Sequence, residues 1–307
     1  MEIDKKEEFV AALDLGTNTF NLAIAKSQPP FSIVFRIEKG VFLGKGGLAS
    51  KKILADALLR AQKVLIEYSS ILSNYPLKKL SCVATEAIRN ASNAPDVLRS
   101  LEIDVPFSVE TIPGEREAEL VYKGVKSTGL LTKENSIIMD IGGGSVEFII
   151  GNKESIIWKK SYKIGISRAL EKVALSDPPK KDELEKHRFY FEENLRELAS
   201  YISGHNVKHL IGTAGSFDSW RKMIGEQNLD LPYSELSKEN LLNLINKINS
   251  IPLAARLKIK GMEEMRIETI VPAGILVEYL LNSFNFESIH QCSFSLSEGV
   301  LWEMINE

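Results

Sequence analysis

A short pattern of an aspartate, an aliphatic residue and a glycine, set between two strand-like apolar segments, occurs twice in this 307-residue chain. Residues 14–19 read DLGTNT and residues 140–145 read DIGGGS, and an apolar run follows each. The two aspartates are 126 residues apart, which is the size of a domain. Repetition at that spacing indicates two duplicated α/β domains.

Apolar periodicity places each repeat in a strand–turn–strand unit and surrounds it with helices. The predicted strands are 9–14, 20–26, a strand pair over 31–42, 80–85, 136–140, 146–151, 154–162 and 207–211. The predicted helices are 50–73, 86–91, 113–125, 180–203, 238–249, 262–282 and 296–305. We expect one domain over 1–125 and a second over 126–307, with a C-terminal helix at about 297–307 that could pack back on the first.

Composition excludes several classes of partner. Lysine and arginine total 38 against 41 acidic residues, so the net charge of −3 offers no broad basic surface for nucleic acid or an anionic membrane. Two cysteines, Cys82 and Cys292, make neither a disulfide framework nor a four-thiolate zinc site. The apolar run 269–281 is too short to span a bilayer, and residues 1–8 are unlike a signal peptide. The expectation is a cytoplasmic protein.

Three glycine-rich turns follow predicted strands, at residues 14–19, 140–145 and 212–216. Glycine allows backbone N–H groups to approach an anion closely, and hydroxyl side chains in these turns add further donors. Asp14 and Asp140 each add a carboxylate suited to a hydrated Mg²⁺ that bridges phosphate oxygens. A plain hairpin with a glycine at positive φ would explain any one turn, but three together favour phosphate binding.

Two further segments carry groups suited to this chemistry. In residues 84–91 (ATEAIRNA) a strand runs into a helix, where Arg89 could reach an anion, although a capped helix with a surface arginine explains the pattern equally well. Residues 112–119 (IPGEREAE) open a helix with several carboxylates. These either complement the helix dipole or include a base for water, and the residues alone do not choose among Glu115, Glu117 and Glu119.

Four segments, residues 14–19, 85–91, 112–118 and 140–147, occur in this order along the chain and together resemble the exopolyphosphatase / guanosine pentaphosphate phosphohydrolase (Ppx/GppA phosphatase) family. That family belongs to the actin, sugar-kinase and Hsp70 superfamily. The resemblance extends over nearly the whole chain and implies the short form, with two duplicated ribonuclease H-like (actin-like ATPase) domains and an interdomain cleft. It also implies Mg²⁺-dependent release of terminal phosphate from polyphosphate, or of the 5′ γ-phosphate from guanosine pentaphosphate.

Residue by residue, the resemblance makes Glu117 the base that activates water, with Asp140 and Glu147 as further catalytic acids. Asp14 and Asp140 are the implied Mg²⁺ ligands. The implied phosphate-binding residues are Gly16, Thr17, Asn18, Arg89, Gly142, Gly143, Gly144, Ser145, Gly212, Thr213 and Gly215.

The chain departs from the family pattern at three positions. Phe42 and Ser297 stand where arginine is usual, and Arg116 stands where an acid is usual. Two alternatives therefore stay open, a kinase-like phosphotransferase of the same superfamily and a non-enzymatic sensor of polyphosphate or the alarmone. The partner in each reading is a small or polymeric polyanion, and a homodimer would place two grooves side by side for a long polymer.

Overall fold

The computed structural model describes residues 7–225 and 231–306, which form two compact units. Unit 1 contains the described residues up to Ser127 together with those from Ser295 onward, and unit 2 is Thr128–Phe294. The chain thus leaves unit 1 close to the expected boundary and returns to it for its last helix. Unit 1 is therefore built from two segments that are far apart in the sequence.

Unit 1 is a five-stranded sheet with helices on both faces, in the strand order β3–β2–β1–β4–β5. Its elements are β1 (Phe9–Leu15), β2 (Thr19–Lys26), β3 (Ile33–Gly40), α1 (Ala55–Leu72), β4 (Leu77–Ala84), α2 (Glu86–Arg89), α3 (Ala94–Glu102), β5 (Glu110–Thr111) and α4 (Gly114–Ser127). The first three strands are antiparallel, and β4 and β5 continue parallel to β1. Alternate apolar residues of β1 and β2 pack against α1 and α3, which fixes the register of the hairpin.

Unit 2 repeats this plan and adds one strand, in the order β10–β11–β9–β6–β7–β8. Its elements are β6 (Ser136–Ile141), β7 (Val146–Gly151), β8 (Ile156–Tyr162), α5 (Ile166–Lys172), α6 (Lys181–Asn194), α7 (Arg196–Gly204), β9 (His209–Thr213), α8 (Gly215–Ile224), β10 (Tyr233–Glu235), α9 (Lys238–Ser250), α10 (Leu253–Arg256), α11 (Ile270–Ser283) and β11 (Ser288–Cys292). Strands β6, β7 and β8 are antiparallel, while β9 and β11 run parallel to β6. The duplicated α/β fold expected from the sequence is confirmed.

The last helix, α12 (Leu296–Asn306), packs against α4 and β1 of unit 1. Two glycines make this approach very close. A Cβ on Gly124 would lie 2.2 Å from the carbonyl oxygen of Ser295, and a Cβ on Gly299 would lie 1.8 Å from that of Leu120. The helices therefore touch backbone to backbone, which no larger residue at these two positions would allow.

Three predicted elements differ in detail. The strand pair expected over 31–42 is the single strand β3, and the helix expected over 180–203 is divided into α6 and α7 at Leu195, whose φ and ψ of −108° and 11° are not helical. The helix expected over 262–282 begins as a short 3₁₀ turn at Glu264–Arg266 and becomes α-helical only at Ile270. Within the described ranges, every helix is too short or too polar to cross a membrane.

Candidate active site

The first glycine turn connects β1 to β2. The amide of Gly16 donates to the carbonyl oxygen of Thr19 across 3.0 Å, and a Cβ on Gly16 would lie only 2.8 Å from that oxygen. The carbonyl oxygens of Thr17 and Asn18 accept hydrogen bonds from backbone amides of residues 41–44 at 2.8 to 3.1 Å. The segment after β3 thus holds this turn in place through its backbone.

The second turn connects β6 to β7 and has the same geometry. A Cβ on Gly142 would also lie 2.8 Å from a carbonyl oxygen three residues further on, that of Ser145. The carbonyl oxygens of residues 142–144 accept backbone amides of residues 165–168, at the start of α5, across 2.9 to 3.2 Å. Gly165 lies so close to the turn that a Cβ there would be 2.4 Å from its backbone atoms. Both turns are therefore preformed.

The carboxylates of the two repeats occupy equivalent positions in the hairpins. Asp14 is opposite Asn21 across β1 and β2, and the Asn21 side-chain amide donates to Asp14 Oδ2 at 3.2 Å. Asp140 is opposite Glu147 across β6 and β7, with the same 126-residue offset. Glu147 is almost fully buried, and Ser161 Oγ of β8 donates to its Oε1 at 2.6 Å. The side-chain amide of Asn21 in unit 1 thus corresponds to the carboxylate of Glu147 in unit 2.

The third turn follows β9. Ala214 and Gly215 both have positive φ values, of 42° and 47°. This region of backbone conformation favours glycine, which the chain has at position 215. A Cβ on Gly212 would lie 2.1 Å from the ring of Phe217, so this glycine makes room for a core aromatic residue. Thr213 is buried, with its hydroxyl 3.5 Å from a backbone carbonyl oxygen of β6. Gly212 therefore has a packing role, and the phosphate contacts expected of Gly212, Thr213 and Gly215 stay predictions.

Arg266 lies beside this third turn, with Nη1 3.5 Å from where a Cβ on Gly215 would be. Its Nε donates to Glu263 at 2.9 Å, and Ser219 and Lys222 donate to the same carboxylate at 2.8 and 2.7 Å. Burial raises the pKa of Glu263, but the hydrogen bonds from Lys222 and Ser219 and the charge of Arg266 outweigh burial and hold the pKa at about 2. The cluster keeps an arginine fixed beside the turn.

In unit 1 the structure separates the three candidate glutamates of α4. Glu117 is buried, with 7 % of its surface exposed, whereas Glu115 is exposed. Glu119 is half-buried and pairs with Arg116. Arg116 also pairs with Glu303, and so joins α4 to α12. Glu117 is thus the glutamate of this group whose surroundings differ from those of a surface residue.

Glu117 is bound by Arg89. Arg89 Nη1 donates to Glu117 Oε2 at 2.9 Å and to the carbonyl oxygen of Ile112 at 2.8 Å, and Arg89 Nη2 donates to Glu86 Oε2 at 2.9 Å. Because β1 and β4 are parallel neighbours, α2 starts at the same sheet edge as the first turn. Two predicted residues, Arg89 and Glu117, are therefore brought into direct contact.

Sequence reasoning missed Glu86 and Glu263, although both leave a common signal. Each lies three residues before an arginine of the candidate site, Arg89 or Arg266, and contacts it at 2.9 Å. Glutamate and arginine at that spacing on a helical turn are neighbours. Arg168, whose Nε donates to the carbonyl oxygen of the second turn at 3.1 Å, had no comparable signal.

The departures from the family pattern have local explanations. Phe42 adopts a φ of 51°, and its carbonyl oxygen accepts from Arg60 Nη2 at 3.1 Å, so an arginine of α1 supports this loop. Ser297 is buried in the first turn of α12. Neither Phe42 nor Ser297 is an exposed residue.

The model of the family described as the Ppx/GppA phosphatase family matches residues 23–307 of the chain. The chain belongs to the Ppx/GppA phosphatase family. This confirms the resemblance to that family found in the sequence.

Solved and curated relatives agree with membership of the Ppx/GppA family. An exopolyphosphatase structure from Cytophaga hutchinsonii superposes with a TM-score of 0.93 at 33 % identity, covering 97 % of this chain and 98 % of that one. A putative exopolyphosphatase of Haemophilus influenzae is 24 % identical over 96 % of this chain and 91 % of its own length. A guanosine-5′-triphosphate,3′-diphosphate pyrophosphatase of Pseudoalteromonas translucida is 28 % identical over the whole of this chain. The chain spans 61 % of that last relative.

Proposed function

We propose that this Ppx/GppA family member hydrolyses phosphoanhydride bonds and releases the terminal phosphate of inorganic polyphosphate or the 5′ γ-phosphate of guanosine pentaphosphate. Family membership and the names of its relatives support the substrate class. The proposed chemistry rests on the surroundings of Glu117. Its carboxylate is buried in the first turn of α4 and is bound by Arg89.

In the proposed reaction Glu117 accepts a proton from a water molecule, whose oxygen attacks the terminal phosphorus. The bridging P–O bond breaks, orthophosphate leaves with the water oxygen, and the shortened chain keeps the bridging oxygen. A carboxylate already fixed by Arg89 loses little freedom on reaching this geometry. A positioned base of this kind contributes about 10²–10⁴-fold to a rate.

The proposed phosphate-binding groups are the glycine turns. In unit 1 these are residues 16–18, and in unit 2 residues 142–145 and Gly215, with Arg266 beside it. Preformed backbone donors stabilise developing negative charge without reorganising during the reaction. Gly212, Thr213 and Arg89 complete the proposed set, although Gly212 also makes room for Phe217 and Arg89 also binds Glu117.

Mg²⁺ is proposed as the cofactor, with Asp14 and Asp140 as the residues that would hold it. Their carboxylate oxygens are the hard donors that Mg²⁺ prefers. Among the described residues no group of three or more His, Cys, Asp and Glu is arranged to hold a metal ion, so water and substrate phosphate would complete the coordination. When bound, the ion would neutralise phosphate charge.

The test is phosphate release from long-chain polyphosphate and from guanosine pentaphosphate in the presence of Mg²⁺. Glu117→Gln is expected to lower the rate by about 100-fold or more, whereas Glu115→Gln, an exposed neighbour on the same helix turn, should leave it within about twofold. Equal rates for wild type and Glu117→Gln would show that the assigned base is wrong. Tight binding without turnover would favour a sensor, and phosphate transfer from ATP to an acceptor would favour a kinase.

A further inference from the structure

One guanidinium in unit 1 serves two carboxylates. Arg89 contacts Glu117 through Nη1 and Glu86 through Nη2, each at 2.9 Å. Glu86 has 2 % of its surface exposed, so this second carboxylate is as removed from solvent as Glu117. Burying two carboxyl groups beside one guanidinium carries a desolvation cost.

A simple pair of Arg89 and Glu117 would be unfavourable for catalysis. A guanidinium that donates from two of its nitrogens to one carboxylate forms a bidentate ion pair, which stabilises the charged acid strongly. The pKa of that acid falls, and it becomes a poor acceptor for a proton from water. In this structure the two carboxylates share the guanidinium instead, because Nη1 donates to Glu117 and Nη2 donates to Glu86.

The same contacts fix the position of Glu117. Arg89 Nη1 also donates to the carbonyl oxygen of Ile112, just before α4 begins, and the Arg89 amide donates to the carbonyl oxygen of Thr85 at 2.9 Å. The arginine is therefore tied at its backbone and at both ends of its fork. The path from Glu86 through Arg89 to Glu117 has no long or flexible step.

We propose that Glu86 is a positioning residue for Glu117, which shares the charge of Arg89 and keeps the Glu117 carboxylate in place as a competent base. The inference rests on the proposed function, and it adds Glu86 as a residue that acts through Arg89 on Glu117. Other charges near Glu117 on α4 are engaged elsewhere or exposed: Arg116 pairs with Glu119 and Glu303, and Glu115 lies at the surface.

The first test needs no catalysis. Carboxyl ¹³C NMR would give the pKa of Glu117, assigned by comparison with Glu117→Gln. Glu86→Gln keeps the size of the side chain and an oxygen that can accept from Arg89, but removes the charge. We expect the acid dissociation constant of Glu117 to rise about threefold or more in this variant. Asp96→Asn, in an exposed pair with Arg99 at the same spacing, is the matched control and should change nothing.

The second test is kinetic. Glu86→Gln should lower kcat about tenfold with KM within about twofold, and should move the acidic limb of the pH profile to lower pH. Glu86→Asp keeps the charge and should lose less kcat than Glu86→Gln. Equal losses in the two variants, or an unchanged or raised pKa of Glu117 in Glu86→Gln, would overturn the inference. A wild type that releases no phosphate would defeat the proposed function, while the NMR result would still decide the role of Glu86.

Discussion

Gly165 lies against the backbone of Gly143 so closely that a methyl group at position 165 would be 2.4 Å from the carbonyl carbon of Gly143. The amide of Gly165 also donates to the carbonyl oxygen of the next turn residue at 3.2 Å. The start of α5 is therefore shaped to the second glycine turn, and the position of the turn depends on the absence of a side chain at 165.

Gly165→Ala should displace this turn. Because backbone atoms cannot yield as a flexible side chain can, we expect a loss of about 1–3 kcal/mol in the free energy of unfolding and about a tenfold or larger loss of phosphate release. Gly204→Ala, where no neighbouring heavy atom lies within 4 Å of the new Cβ, is the control. Urea unfolding and rate measurements on both variants check this, and full activity in Gly165→Ala would contradict it.

Glu263 gives a prediction for stability against pH. Its pKa is lowered to about 2 in the folded protein from an ordinary value of 4.5, despite burial, by Lys222, Ser219 and Arg266. The stabilisation is thus fully present above about pH 4.5 and is lost as the pH falls through the folded value. After allowance for partial exposure, Glu263→Gln should cost on the order of 2 kcal/mol at pH 7.

The measurement is the difference in unfolding free energy between wild type and Glu263→Gln across this range. That difference should shrink steadily below pH 4.5, whereas the exposed neighbour Glu264→Gln should show little difference at any pH. A constant difference would mean that packing, and not charge, explains the effect of Glu263.

Arg116 is expected to act between helices and not in the reaction. Arg116→Glu, which restores the acid typical of the family, would face Glu119 and Glu303 and repel both. We expect unit 1 to lose about 1 kcal/mol of stability, measured by urea unfolding, and to recover part of it when Glu303→Gln is added, which removes one repulsion without placing a positive charge beside Lys123. Failure of the second change to restore stability would argue against the ion pair.

Removal of the metal provides a further test. Chelation with EDTA should abolish phosphate release, and Asp140→Asn should raise the Mg²⁺ concentration needed for half-maximal rate by about tenfold or more. Asp182→Asn, at an exposed position on α6, should leave that concentration unchanged. Release at the full rate in EDTA would exclude the proposed cofactor.

The duplicated turns could be predicted from the sequence because they depend on local chemistry. Gly16 and Gly142 sit in identical backbone positions, and the 126-residue offset even aligns Asn21 with Glu147. Glycine, an adjoining strand and a polar turn are all features of a few consecutive residues. The fold class followed from finding that pattern twice.

Contacts between distant elements could not be predicted in this way. Arg89 meets Glu117 only because β4 and β5 bring α2 and the start of α4 together, and β5 has just two residues. Gly212 lies in a predicted phosphate-binding turn, and the sequence gives no sign that Phe217 fills the space beside it. In both cases tertiary packing creates a contact that no local pattern encodes.

The return of α12 to unit 1 affects how the chain folds while it is being synthesised. All of Thr128–Phe294 leaves the ribosome before α12 does, so the face of β1 that α12 covers stays open during that interval. A compact sheet with an uncovered apolar face is vulnerable to aggregation. Unit 2 can complete its own core from contiguous residues, and unit 1 must wait, so we expect the order of co-translational folding to be the reverse of the order along the chain.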